Sequence, residues 1–256
     1  MFNFKTDCYT SNILSQLLPF DDWTEEELYA CLGQPVKHQI RRLDGALRDK
    51  SVPEYTVEPA DITSLEARLQ TDRILLIDFG AAFYDYERPD QIFTPAPFAS
   101  PEILFGGELT SAVDKWAFGC ILYELCADRS LVKLLFGWNN DAMKDQVAML
   151  GKPPDALWQK WEGKDKYFHP NGTPREAQGR RLKVHPLSLK QRVRNLEKPL
   201  IERGYGTGDD EAPLPSELQN LYDLLKGVIT YDASSRLSFE AIQAHPFFRG
   251  VVIPSL

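Results

Sequence analysis

Residues 111–128 read SAVDKWAFGCILYELCAD, and apolar side chains occupy nearly the whole circumference of the helix that this run predicts. A surface helix keeps one polar face. One that is apolar on every side must be wrapped by other elements, so this run is expected to be the axis of a core. With 256 residues, 43% of them hydrophobic and 26% charged, the chain is long enough for one large or two small domains around it. WAFGCILYELC, the longest apolar stretch, is too short to span a bilayer, and the start MFNFKTDCYT has no leader pattern, so no membrane association is expected. The net charge of −8 argues against direct nucleic-acid binding and leaves room for a basic protein partner. Cys8, Cys31, Cys120 and Cys126 form no CxxC pair, which points to reduced thiols in the cytoplasm or nucleus and to no zinc site.

Ahead of this helix, NIL at residues 12–14 reads as a small strand. DDWTEEELYACLGQP then carries a capping-box pair, Thr24 and Glu27, before a helix that Gly33 and Pro35 end. Residues 15–72 as a whole read as a partly ordered insertion, with SVPEYTVEPADIT extended or in a loop. RILLI follows as a buried strand. Beyond it, residues 84–107 are a Pro- and Gly-rich loop of the kind that often carries function. After the apolar helix, DAMKDQVAMLGKPPDALWQKW predicts a helix stopped at Gly151 and a second start at Asp155. Residues 164–215 form a loop-rich insert around LSLKQRVRNLEKPLIER, whose charges read as a solvated helix face. SELQNLYDLLKGVI and LSFEAIQAHPFF give two closing helices. The fold class is therefore α+β and mainly helical.

Two short stretches carry chemistry. In ILLIDFGAAF, an aspartate ends an apolar strand and a glycine two residues on frees the backbone, an arrangement that presents the Asp78 carboxylate to a hard cation such as magnesium. In KTDCYTSNIL, Asp7 suits the role of accepting the proton of an attacking hydroxyl, and the Asn12 amide oxygen completes the coordination of an ion held by another acid. Proton acceptor and metal ligands near one point are what phosphoryl transfer needs.

With these motifs in this order, the chain resembles a protein kinase, specifically its large C-terminal lobe, over residues 1–249, with residues 250–256 as a tail. The resemblance implies a kinase-like large lobe in which a short two-strand element carries the catalytic and metal-binding loops. It makes Asp7 the catalytic residue. Asn12 and Asp78 become magnesium ligands, and Asp78, Phe79 and Gly80 the triplet that holds ATP and Mg2+. Ser100 to Glu102 resembles the triplet closing the activation segment. Asp114 is then expected to brace the catalytic loop, Arg236 to pair with Glu102, and Thr94 and Phe98 to shape the substrate site.

Small-molecule kinases share the two aspartates but generally lack the Pro-Glu triplet, the tryptophan helix and the closing arginine. AMLGKPPDALW resembles the insert region of the group containing the cyclin-dependent, mitogen-activated and SR-protein kinases. Thr6-Asp7 and the long insertion are similar to the SR-protein kinases and their fungal relatives, which implies serine/threonine specificity and an Arg/Ser-rich protein substrate.

Two departures stand beside the matches. Lys5 holds the place of a histidine that usually packs beneath Phe79, and it is expected to reach solvent. No glycine-rich strand, strand lysine or helix glutamate precedes the catalytic motifs. GYGTG at residues 204–208 has no following strand lysine and reads as a flexible loop. On these grounds low activity is expected of residues 1–256 alone, and the alternative to an enzyme is a truncated, pseudokinase-type interaction module.

Overall fold

The computed structural model of the chain describes residues 4–5, 8–84, 86–87, 89, 91–134, 139–176, 184, 186–197 and 213–249. Among these, the strands are β1 (Phe4–Lys5), β2 (Ile13–Leu17), β3 (Lys37–Gln39), β4 (Tyr55–Val57), β5 (Gln70–Leu76) and β6 (Phe83–Tyr84). The helices are α1 (Glu25–Leu32), α2 (Thr63–Leu69), α3 (Pro101–Leu104), α4 (Ala112–Ala127), α5 (Asn139–Leu150), α6 (Asp155–Trp158), α7 (Leu189–Arg194), α8 (Ser216–Val228) and α9 (Phe239–Gln243). The strands pair antiparallel in twos, β1 with β6, β2 with β5 and β3 with β4. No described helix is long and apolar enough to cross a membrane.

The chain divides into two compact units, Ile13–Ile77 and the remainder, Met1–Asn12 with Asp78–Leu256. In the larger unit α4 lies at the centre as its sequence demands: Trp116, Ala117, Cys120, Ile121 and Tyr123 are all buried. Only its last turn emerges, with Leu125 and Cys126 exposed. Burial pushes the Cys120 thiol far up, so it stays protonated and unreactive. Helix α4 packs on α8, and the approach is close at Gly119. A Cβ there would stand 2.7 Å from Val228 Cγ2 and 2.8 Å from Ile229 Cδ1, inside normal contact. Gly119→Ala is therefore expected to cost about 1–3 kcal/mol despite the better helix propensity of alanine, read from a urea unfolding midpoint.

A second cluster gathers Phe105, Met143, Val147, Trp158, Trp161 and Phe168 around α5 and α6. Its rings meet edge-on, Trp158 to Trp161 at 6.0 Å and 83°. Helix α5 ends at Gly151, whose φ of 83° reverses the chain ahead of α6 at Asp155.

The smaller unit corrects one expectation, the burial of RILLI. Thr24 and Glu27 do close a reciprocal capping box on α1, but residues 15–72 also contain the β3–β4 ribbon and α2, neither of which stands out in the sequence. Helix α2 is too short for its periodicity to show. Strand β5 is not buried: Ile74 is 66% exposed, and Leu75 and Leu76 are exposed as well. In a two-stranded ladder neither face acquires a second layer unless another element covers it.

Candidate active site

The β2–β5 ladder decides where the motif residues emerge. Leu76 pairs with Ile13, so Asn12, just before Ile13, and Asp78, two residues beyond Leu76, leave the ladder at the same end. Asn12 closes a 3-10 turn, its N–H donating to the Tyr9 carbonyl at 2.9 Å, and it is only 7% exposed. Asp78 is exposed and sits at φ 61°, ψ 66°, in the left-handed region. The other described non-glycine residue with positive φ is Asp128, a helix C-cap. Such a conformation is strained by about 1–3 kcal/mol, and strain of that size concentrates at functional positions.

This geometry corrects the sequence reading of the triplet. The unusual backbone angle belongs to Asp78 itself and not to Gly80, which lies in the 3-10 turn Phe79–Ala81 without a positive φ. A Cβ at Gly80 would meet Asp78 Oδ1 at 3.4 Å, an ordinary contact, so space does not demand glycine there. Phe79 does not anchor the motif in the core. It is 54% exposed, at the start of the 3-10 turn.

Strand β1 pairs Lys5 with Phe83 and Phe4 with Tyr84, which ties the segment leading to Asp7 to the chain just after the triplet. Asp7 and the side chain of Lys5 lie outside the described residues. The loop beyond Asp7 is held from two sides. Tyr9 packs its ring against buried Phe98, centroids 5.8 Å apart. The Thr10 side chain bonds Glu124 of α4, whose carboxyl pKa burial raises and this hydrogen bond lowers. Glu124 was legible only as a lone acid in an apolar run.

Thr94 lines a cleft of about 610 Å3 with Gln91, Ile92, Pro95, Ala99 and Glu102. The floor of this cleft is fixed by α5, where fully buried Gln146 donates from Nε2 to the Ala99 carbonyl at 2.9 Å. The structure brings Glu102 and Arg236 together, 134 residues apart in sequence, through two bonds of 2.6 and 2.8 Å. Asp114 stands in the first turn of α4, and the contact expected of it involves the loop around Asp7, outside the described residues.

A second buried knot lies in the basic stretch. Arg192 does not belong to the solvated face that its charge pattern predicts, but is 2% exposed and grips Asp145 of α5 at 2.7 and 3.0 Å. The rest of the basic stretch beyond residue 197, with the 204–208 loop and the tail 250–256, lies outside the described residues. Cys31, Cys120 and Cys126 are free thiols.

The sequence model of the protein kinase domain matches residues 67–248, more than half of the chain, and the chain belongs to that family. It is 27% identical over 230 residues to a dual specificity protein kinase YAK1 homolog of Arabidopsis thaliana, covering 80% of this chain and 24% of that protein. It is 28% identical over 183 residues to the dual specificity protein kinase CLK4 of Homo sapiens, 72% of this chain and 34% of the relative. To the serine/threonine-protein kinase AFC3 of Arabidopsis thaliana it is 26% identical over 202 residues, 77% of this chain and 46% of the relative. The chain thus spans less than half the length of each of these curated relatives.

Proposed function

We propose that this chain is the large catalytic lobe of a serine/threonine protein kinase similar to the SR-protein kinases, transferring the ATP γ-phosphate to a protein hydroxyl. The observation that carries this reading is the emergence of Asn12 and strained Asp78 from one end of the β2–β5 ladder, in a chain of the protein kinase family.

The donors present suit magnesium. Among the described residues no group of three or more His, Cys, Asp and Glu could hold a metal alone. One carboxylate and one amide, completed by phosphate oxygens, is how magnesium is usually bound beside a nucleotide. Asn12 and Asp78 would hold it, and it would neutralise charge on the phosphates. In this reading Asp7 accepts the proton of the substrate hydroxyl, while Phe79 and Gly80 set the turn that presents Asp78. Glu102, Asp114 and Arg236 hold the shape of the lobe, and Thr94 and Phe98 border the substrate, an Arg/Ser-rich protein segment. Residues 1–249 make up this large lobe, with insertions at about 15–72 and 164–215. Four cysteines without a CxxC pair suit the cytoplasm or nucleus.

The test is a thermal-shift titration of the 256-residue chain with ATP, with and without magnesium. At ligand a hundredfold above its dissociation constant, binding adds about 2.7 kcal/mol, or roughly 5–10 °C for a chain of this size. The shift is expected to need magnesium and to vanish in Asp78→Ala. A folded chain that does not shift would favour a second reading, an interaction module without catalysis. That reading draws on one observation: the apolar side chains of β5 form exposed surface that a partner would cover.

A further inference from the structure

The smaller unit contains a groove that neither the kinase reading nor its motifs use. Helix α1 and the end of the β3–β4 ribbon enclose about 350 Å3, lined chiefly by Leu28, Tyr29, Leu32, Val36, Val57 and Pro59. The volume lies at the lower end of the ~300–1,000 Å3 typical of ligand sites. The walls are well fixed. The capping box starts α1, the N–H of Gly33 closes it on the Tyr29 carbonyl at 2.9 Å, and the Glu58 N–H donates to the Val36 carbonyl at 3.1 Å.

The apolar side chains between those walls are left in contact with water. Helix α1 has no buried residue, and Val36 and Val57 are 51% and 49% exposed. An eight-residue helix gains most of its stability from covering an apolar face, so this one is arranged to be covered.

Charge indicates by what. The segments forming the groove and its approaches, residues 21–36 and 57–61, carry seven Asp and Glu and no Lys or Arg. Glu58 and Asp61 line the groove itself. Of the basic side chains beside these segments, Lys37 lies above Tyr55 at 4.6 Å and Arg68 above Trp23 at 5.1 Å, while His38 bonds one carboxylate oxygen of Glu58 at 2.6 Å. An apolar cleft with an acidic margin is complementary to an apolar segment with basic flanks, and it repels a second copy of the same surface.

We propose that the groove between α1 and the β3–β4 ribbon docks a short segment of a partner protein, one that carries bulky apolar side chains flanked by Lys or Arg.

The proposal is independent of catalysis and would survive failure of the nucleotide test. The experiment uses the 256-residue chain and a fluorescein-labelled library of twelve-residue peptides, with Leu, Ile or Phe varied through the central positions and Arg at the flanks. Fluorescence anisotropy should find members that bind below 100 µM. Replacing their apolar residues with Ser, or their Arg with Glu, should weaken binding at least tenfold. Leu32→Glu should do the same, and Glu58→Arg should weaken it roughly three- to tenfold. Circular dichroism checks that both variants stay folded, and amide exchange on the unaltered chain should slow at residues 28–36 when peptide is bound.

Several results would overturn the proposal: no binder below 100 µM, binding that survives the Ser replacement and so reports charge alone, or protection away from residues 28–36 and 57–61. Sedimentation showing a dimer that Leu32→Glu dissociates and that no peptide displaces would assign the groove to a second copy instead.

Discussion

Arg236→Ala is expected to destabilise the larger unit by about 3–5 kcal/mol, the cost of breaking a buried ion pair by removing one partner. The guanidinium is nearly inaccessible and every direction of its fork is used. It reaches Glu102 twice, donates to the Ala112 carbonyl at 2.7 Å, and approaches the Thr230 carbonyl from Nε and Nη2 at 3.2 and 3.1 Å. Its plane also lies 5.4 Å from the Trp116 ring. Alanine leaves the Glu102 carboxylate buried without a counter-charge and strips donors from two carbonyls, which is where most of the penalty arises.

In a thermal melt the loss corresponds to roughly 6–20 °C at this chain length. The double variant Glu102→Leu with Arg236→Met should recover more than half of it, because no lone charge remains. A melting point within about 2 °C of the parent for the single variant would show that the pair is not buried in solution. Glu102 also lines the cleft beside Thr94, so the single variant should loosen that cleft as well.

The sequence disclosed those features that are local or that follow from one strong pattern. The apolar circumference of residues 111–128 could belong only to a central helix, and α4 is one. Thr24 with Glu27, and Gly151 ahead of two prolines, are chemical signals confined to a few residues, and the helix ends fall where they indicate. Features that depend on distant partners were not legible. RILLI looks the same whether a second layer covers it or not, and here it is exposed. IDFG shows that a turn follows a strand but not which residue bears the left-handed angle, which belongs to Asp78. The groove on α1 needs the β3–β4 ribbon, whose three-residue strands carry too little alternation to be recognised.

Arg192 is the clearest case, because charge patterning cannot separate a solvated arginine from one whose acid lies 47 residues away. Arg192→Ala is expected to cost about 3–5 kcal/mol, comparable with Arg236→Ala. Besides its two bonds to Asp145, the side chain donates to the Leu131 carbonyl at 2.6 Å and to the Leu187 carbonyl at 3.0 Å. Asp145 in turn accepts the Lys133 N–H at 2.9 Å. One pair therefore joins the segment after α4 to α5 and to the start of α7. Arg192→Lys should restore less than half of the loss, since an ammonium cannot reproduce a planar fork reaching a carboxylate and two carbonyls. Lys190→Ala, two residues away and half-buried, should change stability by less than about 1 kcal/mol. Salt separates the two interpretations of this helix. A solvated face loses its electrostatic contribution as ionic strength rises, whereas a buried pair is screened little, so the gap between parent and Arg192→Ala should persist from about 0.05 to 1 M salt. A gap that closes with salt would return Arg192 to the surface and remove the link between α5 and α7.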